Sequence, residues 1–339
     1  MTSFLLIFVA ALLLGLSATP LAQRVAPWFG MVDTPSARKA HPRPMPLLGG
    51  VAIYLATMAA LLIFGQQQEV TQLAGILIGA TLVSFCGLWD DRRPLAPFVK
   101  LVVQTTAALI LYATGITINI LPNPWLNFAV TLVWVVGITN AFNLLDNMDG
   151  LSGGVSAIAS LFFLVLAITS KQILVGSLAA ALLGACVGFL VYNFNPARIF
   201  MGDSGSLFIG FILAAVGIKL RFPDHSTTVT WMIPLLVLGV PIFDTTLVTL
   251  SRLRRGLNPL ATPGHDHLSH RLAARGLTHR EAVLTIYLLC GALGVAAMLL
   301  TQAEPSEAYL IGGAIFSVAF AALIVLEIAF ARAAAVANK

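Results

Sequence analysis

Long apolar runs separated by short polar connections set the pattern of this chain. A helix rises about 1.5 Å per residue, so about 20 apolar residues span the hydrocarbon core of a bilayer. Runs near that length fall at 4–22, 47–65, 71–89, 97–115, 125–145, 151–170, 172–192, 204–220, 230–251, 281–300 and 307–330. They predict an all-α, polytopic membrane protein of about eleven transmembrane helices. The longest connections, around 23–46 and 252–280, are too short to fold separately, so residues 1–339 are expected to form a single integral membrane domain. The first run has no basic residue before Arg24. A secretory signal opens on a positive segment, so this run is expected to be the first spanning helix.

Composition agrees: 58% of residues are hydrophobic and 10% charged, with a mean hydropathy of +0.93. Soluble domains carry about 25% charged residues. The net charge of +5 is spread thinly among apolar segments, which argues against nucleic acid as a partner. Cys86, Cys186 and Cys290 lie far apart with no CxxC pair, arguing against a zinc site or a disulfide framework.

The distribution of charge adds an orientation. Sixteen of the nineteen Lys and Arg residues fall on one side of the eleven-helix scheme, leaving Lys171, Lys219 and Arg221 opposite. An excess of basic residues marks cytoplasmic loops, so the N-terminus is expected outside and the C-terminus inside. Asp33, Asp90, Asp91, Asp146, Asp149, Asp203 and Asp266 gather on the same side, as do His41, His265, His267, His270 and His279. Carboxylates and imidazoles do not follow the basic-residue rule, so their clustering points to an active site at the cytoplasmic face.

Five segments carry the candidate chemistry. Asp90-Asp91 ends the third run, where adjacent carboxylates need partners or a metal; pairing with Arg92, Arg93 or Lys100 is the plain alternative. Asn143, Asp146 and Asp149 recur every three residues and would line one face of a helical turn, with no basic residue between Lys100 and Lys171 to neutralise them. From Asn193 through Arg198 and Phe200 to Gly202-Asp203-Ser204, a loop enters the eighth run. Asp203 or Ser204 can simply cap that helix, or the same helix start can attract metal and phosphate. His265, His267, His270 and Arg271 follow Arg252, Arg254 and Arg255. Their spacing admits zinc, but the oxygen ligands on this face favour Mg²⁺ and leave the His and Arg side chains to hold phosphate. Finally, Arg38-Lys39-Ala40-His41 leads through prolines to Gly49-Gly50, a basic loop suited either to phosphate or to lipid headgroups. Together these are the parts of metal-assisted phosphoryl transfer.

In this order the motifs resemble the polyprenyl-phosphate N-acetylhexosamine-1-phosphate transferases, of the glycosyltransferase family 4 type. Members start enterobacterial common antigen, many O-antigens (lipopolysaccharide) and wall teichoic acid, or make peptidoglycan lipid I. The resemblance spans about residues 33–280, and the short His-rich loop is most similar to the N-acetylglucosamine branch. It implies UDP-GlcNAc as donor, undecaprenyl phosphate as lipid acceptor, UMP as leaving group and Mg²⁺ as cofactor, with Mn²⁺ as a substitute. It implies a multi-pass protein of the bacterial plasma (inner) membrane, with a homodimer among the expected assemblies. By the resemblance Asp203, with Asp90 and Asp91, would hold the metal. Asp90, Asp91, Asp146, Asp149, His267 and His270 would be catalytic, Asp90 as proton acceptor. Asn143, Asn193 and Phe200, with the cationic Lys39, His41, Arg198 and Arg271, would bind substrate. Ser269 stands where the family usually has a middle His. The alternatives are transfer from UDP-MurNAc-pentapeptide to the same lipid and, in another class, a membrane transporter.

Overall fold

The computed structural model describes residues 2–34, 44–65, 69–222, 227–259, 262 and 264–337, excepting the side chains of 227, 228 and 333–337. It divides into two compact units, Met1–Arg221 and Phe222–Lys339.

The first unit is helical: α1 (Thr2–Val25), α2 (Gly49–Phe64), α3 (Val70–Arg92), α4 (Pro97–Ala113), α5 (Pro124–Leu145), α6 (Leu151–Thr169), α7 (Ile173–Asn193) and α8 (Gly202–Lys219). A 3₁₀ turn, Ala26–Phe29, follows α1, and two-residue strands β1 (Val32–Asp33) and β2 (Met45–Pro46) pair antiparallel. Local chemistry places the starts. Pro97 and Pro124 occupy first-turn positions, where a missing N–H costs nothing, and the Asn123 side chain accepts from the amides of Trp125 and Leu126.

α7 packs against α1, α2 and α6, while α8 packs against α2, α3 and α5. These two helices are buried on almost every side, and Phe142, Phe163, Phe189, Phe208 and Phe211 fill the interior completely. A helix apolar all round belongs in such a core.

Two glycines let α3 and α8 meet. A Cβ at Gly87 would collide with the backbone of Asp203 and Ser204. Gly202 has φ +72°, and a Cβ there would lie 2.6 Å from an Asp91 carboxylate oxygen. Gly87→Ala is therefore expected to push the first turn of α8 away from α3. The cost is about 1–3 kcal/mol of stability, the scale of overpacking, read as a lower melting temperature in detergent. An unchanged melting temperature would show that the helices separate freely.

The second unit holds α9 (Thr227–Thr230), α10 (Met232–Val237), α11 (Gly239–Arg254), α12 (Leu268–Ala273), α13 (His279–Leu300) and α14 (Pro305–Ala337). Here the structure corrects the expected continuous helix over 230–251, which is interrupted at Leu238. Pro241 has no N–H to donate to the Val237 carbonyl, and its ring crowds that turn. Periodicity could not show this break because the residues on both sides are equally apolar.

Among the described residues eight helices are long and apolar enough to cross a membrane: α1, α3, α5, α6, α7, α8, α13 and α14. α2 and α4 are apolar but shorter.

Candidate active site

In the first unit the candidate residues meet around the start of α8. Gly202 in the left-handed conformation turns the chain into the helix, which places Asp203 in its first turn. Neither Asp203 nor Ser204 caps the helix. Asp91 does so from the end of α3: its Oδ1 accepts the Asp203 amide at 2.7 Å and its Oδ2 the Ser204 amide at 3.1 Å. A carboxylate is the favourable partner for the partial positive charge of a helix N-terminus. This clamp is what the Asp91 side chain is seen to do.

The Asp203 carboxylate is thereby aimed between two donors. Its Oδ1 accepts from Asn143 Nδ2 at 2.9 Å, and its Oδ2 from Lys100 Nζ at 2.8 Å. Lys100 also donates to Asp90 Oδ2 at 3.0 Å, while Asp90 Oδ1 accepts the Leu95 amide at 2.6 Å. One ammonium thus bridges two carboxylates from different helices. Sequence reasoning offered Lys100 as a partner for the Asp90-Asp91 pair but not for Asp203. The missed signal was a cation inside an apolar helix, which needs a partner.

Asn143, Asp146 and Asp149 do not share a helical face, contrary to the expectation from their spacing. α5 ends at Leu145, and Gly150 at φ +77° turns the chain into α6. Asp149 Oδ2 accepts from Asn195 Nδ2 at 3.1 Å and from the Ala197 amide at 3.0 Å, holding the loop after α7. The Asp146 carboxylate accepts no hydrogen bond from any described residue. Burial, then the charges of Asp203, Asp91 and Asp149, push its carboxyl up to about 8.

That shift makes a prediction. A carboxyl whose folded value lies above its unfolded one of about 3.9 costs the fold nothing at low pH. It costs progressively more as pH climbs toward the folded value. Asp146→Asn removes this cost, so the variant should gain melting temperature relative to the parent as pH rises from 5 to 9. Parallel melting curves across that range would contradict it.

Asn193 is buried, and its amide is spent on backbone. Its Oδ1 accepts the Gly150 amide at 3.0 Å and its Nδ2 donates to the Ile199 carbonyl at 2.9 Å. Its amide ties two loops together. Phe200 is half-buried; its amide donates to the Pro46 carbonyl, and its carbonyl accepts from Gly49. Gly50 donates likewise to the Met201 carbonyl, so the Gly49-Gly50 amides are joined to this loop and form no phosphate cradle. Arg198 is exposed. Lys39 and His41 lie outside the described residues.

The second unit carries its own polar cluster. Asp266 accepts from Arg252 through both oxygens, each at 3.0 Å, and from Arg255 at 2.5 Å. Burial alone would raise this carboxyl, but the two guanidiniums hold it below the usual carboxylate range. Arg271 is engaged with the protein itself. Buried at 2% exposure, it donates to the carbonyls of Asp266 and Leu326 and to Glu327, and packs on the Phe330 ring. His267 starts α12 and pairs with Asp244. Burial, then neighbouring His265, His267 and His279, push His270 down to about 4, so near neutral pH it is a neutral acceptor and not a cation. The oxygen-rich first-unit cluster suits a hard cation held by one or two carboxylates and completed by substrate oxygens. Among the described residues no three His, Cys, Asp or Glu side chains are grouped as an all-protein metal cage.

A polytopic helical protein with carboxylates, a lysine and a helix start gathered at one place fits a membrane-embedded transferase. The chain belongs to the glycosyl transferase family 4, whose pattern it matches over residues 73–221. It is 38% identical over 305 residues, covering 87% of this chain and 84% of the other, to a Bacillus subtilis (strain 168) protein named "probable undecaprenyl-phosphate N-acetylglucosaminyl 1-phosphate transferase". It is 30% identical to the decaprenyl-phosphate N-acetylglucosaminephosphotransferase of Mycolicibacterium smegmatis (92% of this chain, 87% of the other). Identity is again 30% to the undecaprenyl-phosphate alpha-N-acetylglucosaminyl 1-phosphate transferase of Yersinia pestis (81% and 78%). With its apolar helices and bacterial relatives, the chain is a multi-pass membrane protein.

Proposed function

We propose that the protein transfers N-acetylglucosamine-1-phosphate from UDP-GlcNAc to undecaprenyl phosphate, releasing UMP, as the first step of a cell-envelope polysaccharide. The relatives' names support the reaction and the acceptor. The observation that carries the chemistry is the Asp90–Lys100–Asp203 bridge at the start of α8. Such a site can grip a diphosphate through its fixed cation and a divalent ion held on the carboxylates.

Asp203 and Asp90 fit a magnesium ion, with Asn143 fixing the Asp203 carboxylate. When bound, the ion neutralises charge on the diphosphate. Lys100 lies between the two carboxylates and is placed to follow the diphosphate charge. A phosphate monoester has a second pKa of about 6, so the acceptor lipid needs help only with its last proton. Asp146 is better suited to take it than Asp90. Both Asp90 oxygens already accept hydrogen bonds, whereas Asp146 has no hydrogen-bond partner among the described residues and sits near the pH at which a general base works best. Attack of a lipid phosphate oxygen on the β-phosphorus would break its bond to the UMP oxygen. Orientation with the N-terminus outside and the C-terminus in the cytoplasm completes the reading, because the nucleotide donor is cytoplasmic.

Purified protein, radiolabelled UDP-GlcNAc, undecaprenyl phosphate and Mg²⁺ test it directly. Labelled lipid should form with one UMP released per product, stop on chelation and resume when Mg²⁺ or Mn²⁺ returns. Product only from UDP-MurNAc-pentapeptide, or solute flux without lipid product, would replace this assignment.

A further inference from the structure

Below the Asp90–Lys100–Asp203 bridge, α4 carries a second polar side chain into the interior. Lys100 and Gln104 are four residues apart, so they lie one above the other on a single face of the helix. Gln104 is 2% exposed. Its partner is Asn140 of α5, which stands one turn before Asn143 on that helix. Asn140 Nδ2 donates to Gln104 Oε1 at 2.5 Å and to the Val136 carbonyl at 2.8 Å, while Gln104 Nε2 donates to Asn140 Oδ1 at 3.4 Å. The Val136 carbonyl can only accept, which settles the orientation of both amides. Among the described residues no other side-chain hydrogen bond joins α4 to α5.

We infer that Gln104 and Asn140 are positioning residues of the transfer reaction. Their amide pair fixes the rotation of α4 against α5, so that Lys100 from one helix and Asn143 from the other reach opposite oxygens of the same Asp203 carboxylate. The pair lies one turn beneath both donors, about 4.5–6 Å along the helix axes. A slip of one residue in α4 would turn Lys100 by about 100°, away from Asp90 and Asp203. Stability by itself does not call for amides here. A hydrogen bond between helices in a membrane contributes modestly, and replacing both partners by apolar groups of the same shape is nearly neutral. What amides add is direction, because donors and acceptors match at one rotation only, whereas apolar side chains repack. This assignment rests on the transferase reading above.

Gln104→Met tests it, because the side chain keeps its length and loses its amide. The expected result is a kcat lower by about tenfold to a hundredfold, the scale of a small misplacement made away from the chemistry. The melting temperature in detergent should fall by no more than about 4 °C. Gln104→Met combined with Asn140→Leu removes both amides, so the melting temperature should return toward the parent's while kcat stays low. A merely structural pair would instead let kcat recover with stability. The third variant adds Gln104→Met to Lys100→Met. It should be no slower than Lys100→Met alone, because Gln104 acts through the lysine that is already gone.

A parental kcat in Gln104→Met or in the apolar pair, or losses that multiply in the Lys100→Met background, would overturn the proposal. Should Gln104→Met not fold, the apolar pair decides alone. Absence of lipid-linked product from the parent protein would instead strike the transferase reading, so the two failures are distinct.

Discussion

Asp203→Asn is expected to lower turnover by roughly 10³-fold, the upper scale for losing one preorganised electrostatic group, while the protein stays folded. The two Asp203 oxygens accept from different donors, Asn143 and Lys100. An amide offers only one acceptor, so one of those contacts becomes donor against donor. The clamp that places the residue is untouched, because Asp91 binds the backbone amides of Asp203 and Ser204 and not the Asp203 side chain. Loss of rate therefore reports the carboxylate and not the helix. Turnover measured beside melting temperature and Mn²⁺ binding separates the two. Near-parental turnover, with saturating UDP-GlcNAc and Mg²⁺, would remove Asp203 from the site.

Lys100→Met should produce the second-largest effect and a more complex one. Without the ammonium, Asp90 and Asp203 face each other uncompensated. Breaking a fully buried pair costs about 3–5 kcal/mol. These side chains keep 16–26% of their exposure, so about 1–3 kcal/mol is the reasonable scale here. The variant should therefore melt lower in chelator and recover when Mg²⁺ is added, since a divalent cation can replace the missing charge. Turnover should still fall by about 10²-fold, because the diphosphate loses a fixed cation. The opposite directions are diagnostic. If Mg²⁺ stabilises variant and parent equally, the bridge is not holding the carboxylates together, and Lys100 is a bystander.

The candidate site was partly legible because each of its motifs breaks an apolar run. Asp90-Asp91 and Gly202-Asp203 stand at helix ends, where carboxylates have to be explained. The roles were less legible than the places. Asp91, next to Asp90 in sequence, points to a helix start 112 residues later, and no spacing rule reaches that far. Asn193 and Arg271 look like ligand-binding residues on paper because polar side chains near a site invite that reading. Burial shows both engaged with the protein itself. Asp244 went unassigned because it sits in the middle of an expected span.

By itself the sequence determined the class of this protein. Apolar runs of bilayer length leave no other solvent for so many hydrophobic side chains, and the ordered polar motifs between them define the family. It also determined several helix starts, those of α4, α5 and α6, because prolines, Asn123 and Gly150 act on their immediate neighbours. Only the tertiary structure decided which charges answer one another. Lys100 between Asp90 and Asp203, Asp91 at the head of α8, and Asp244 on His267 all join residues from separate elements. The physical reason is range. Caps and turns are settled within a few residues along the chain, whereas a low-dielectric interior makes each buried charge depend on whatever the packing of distant helices brings beside it.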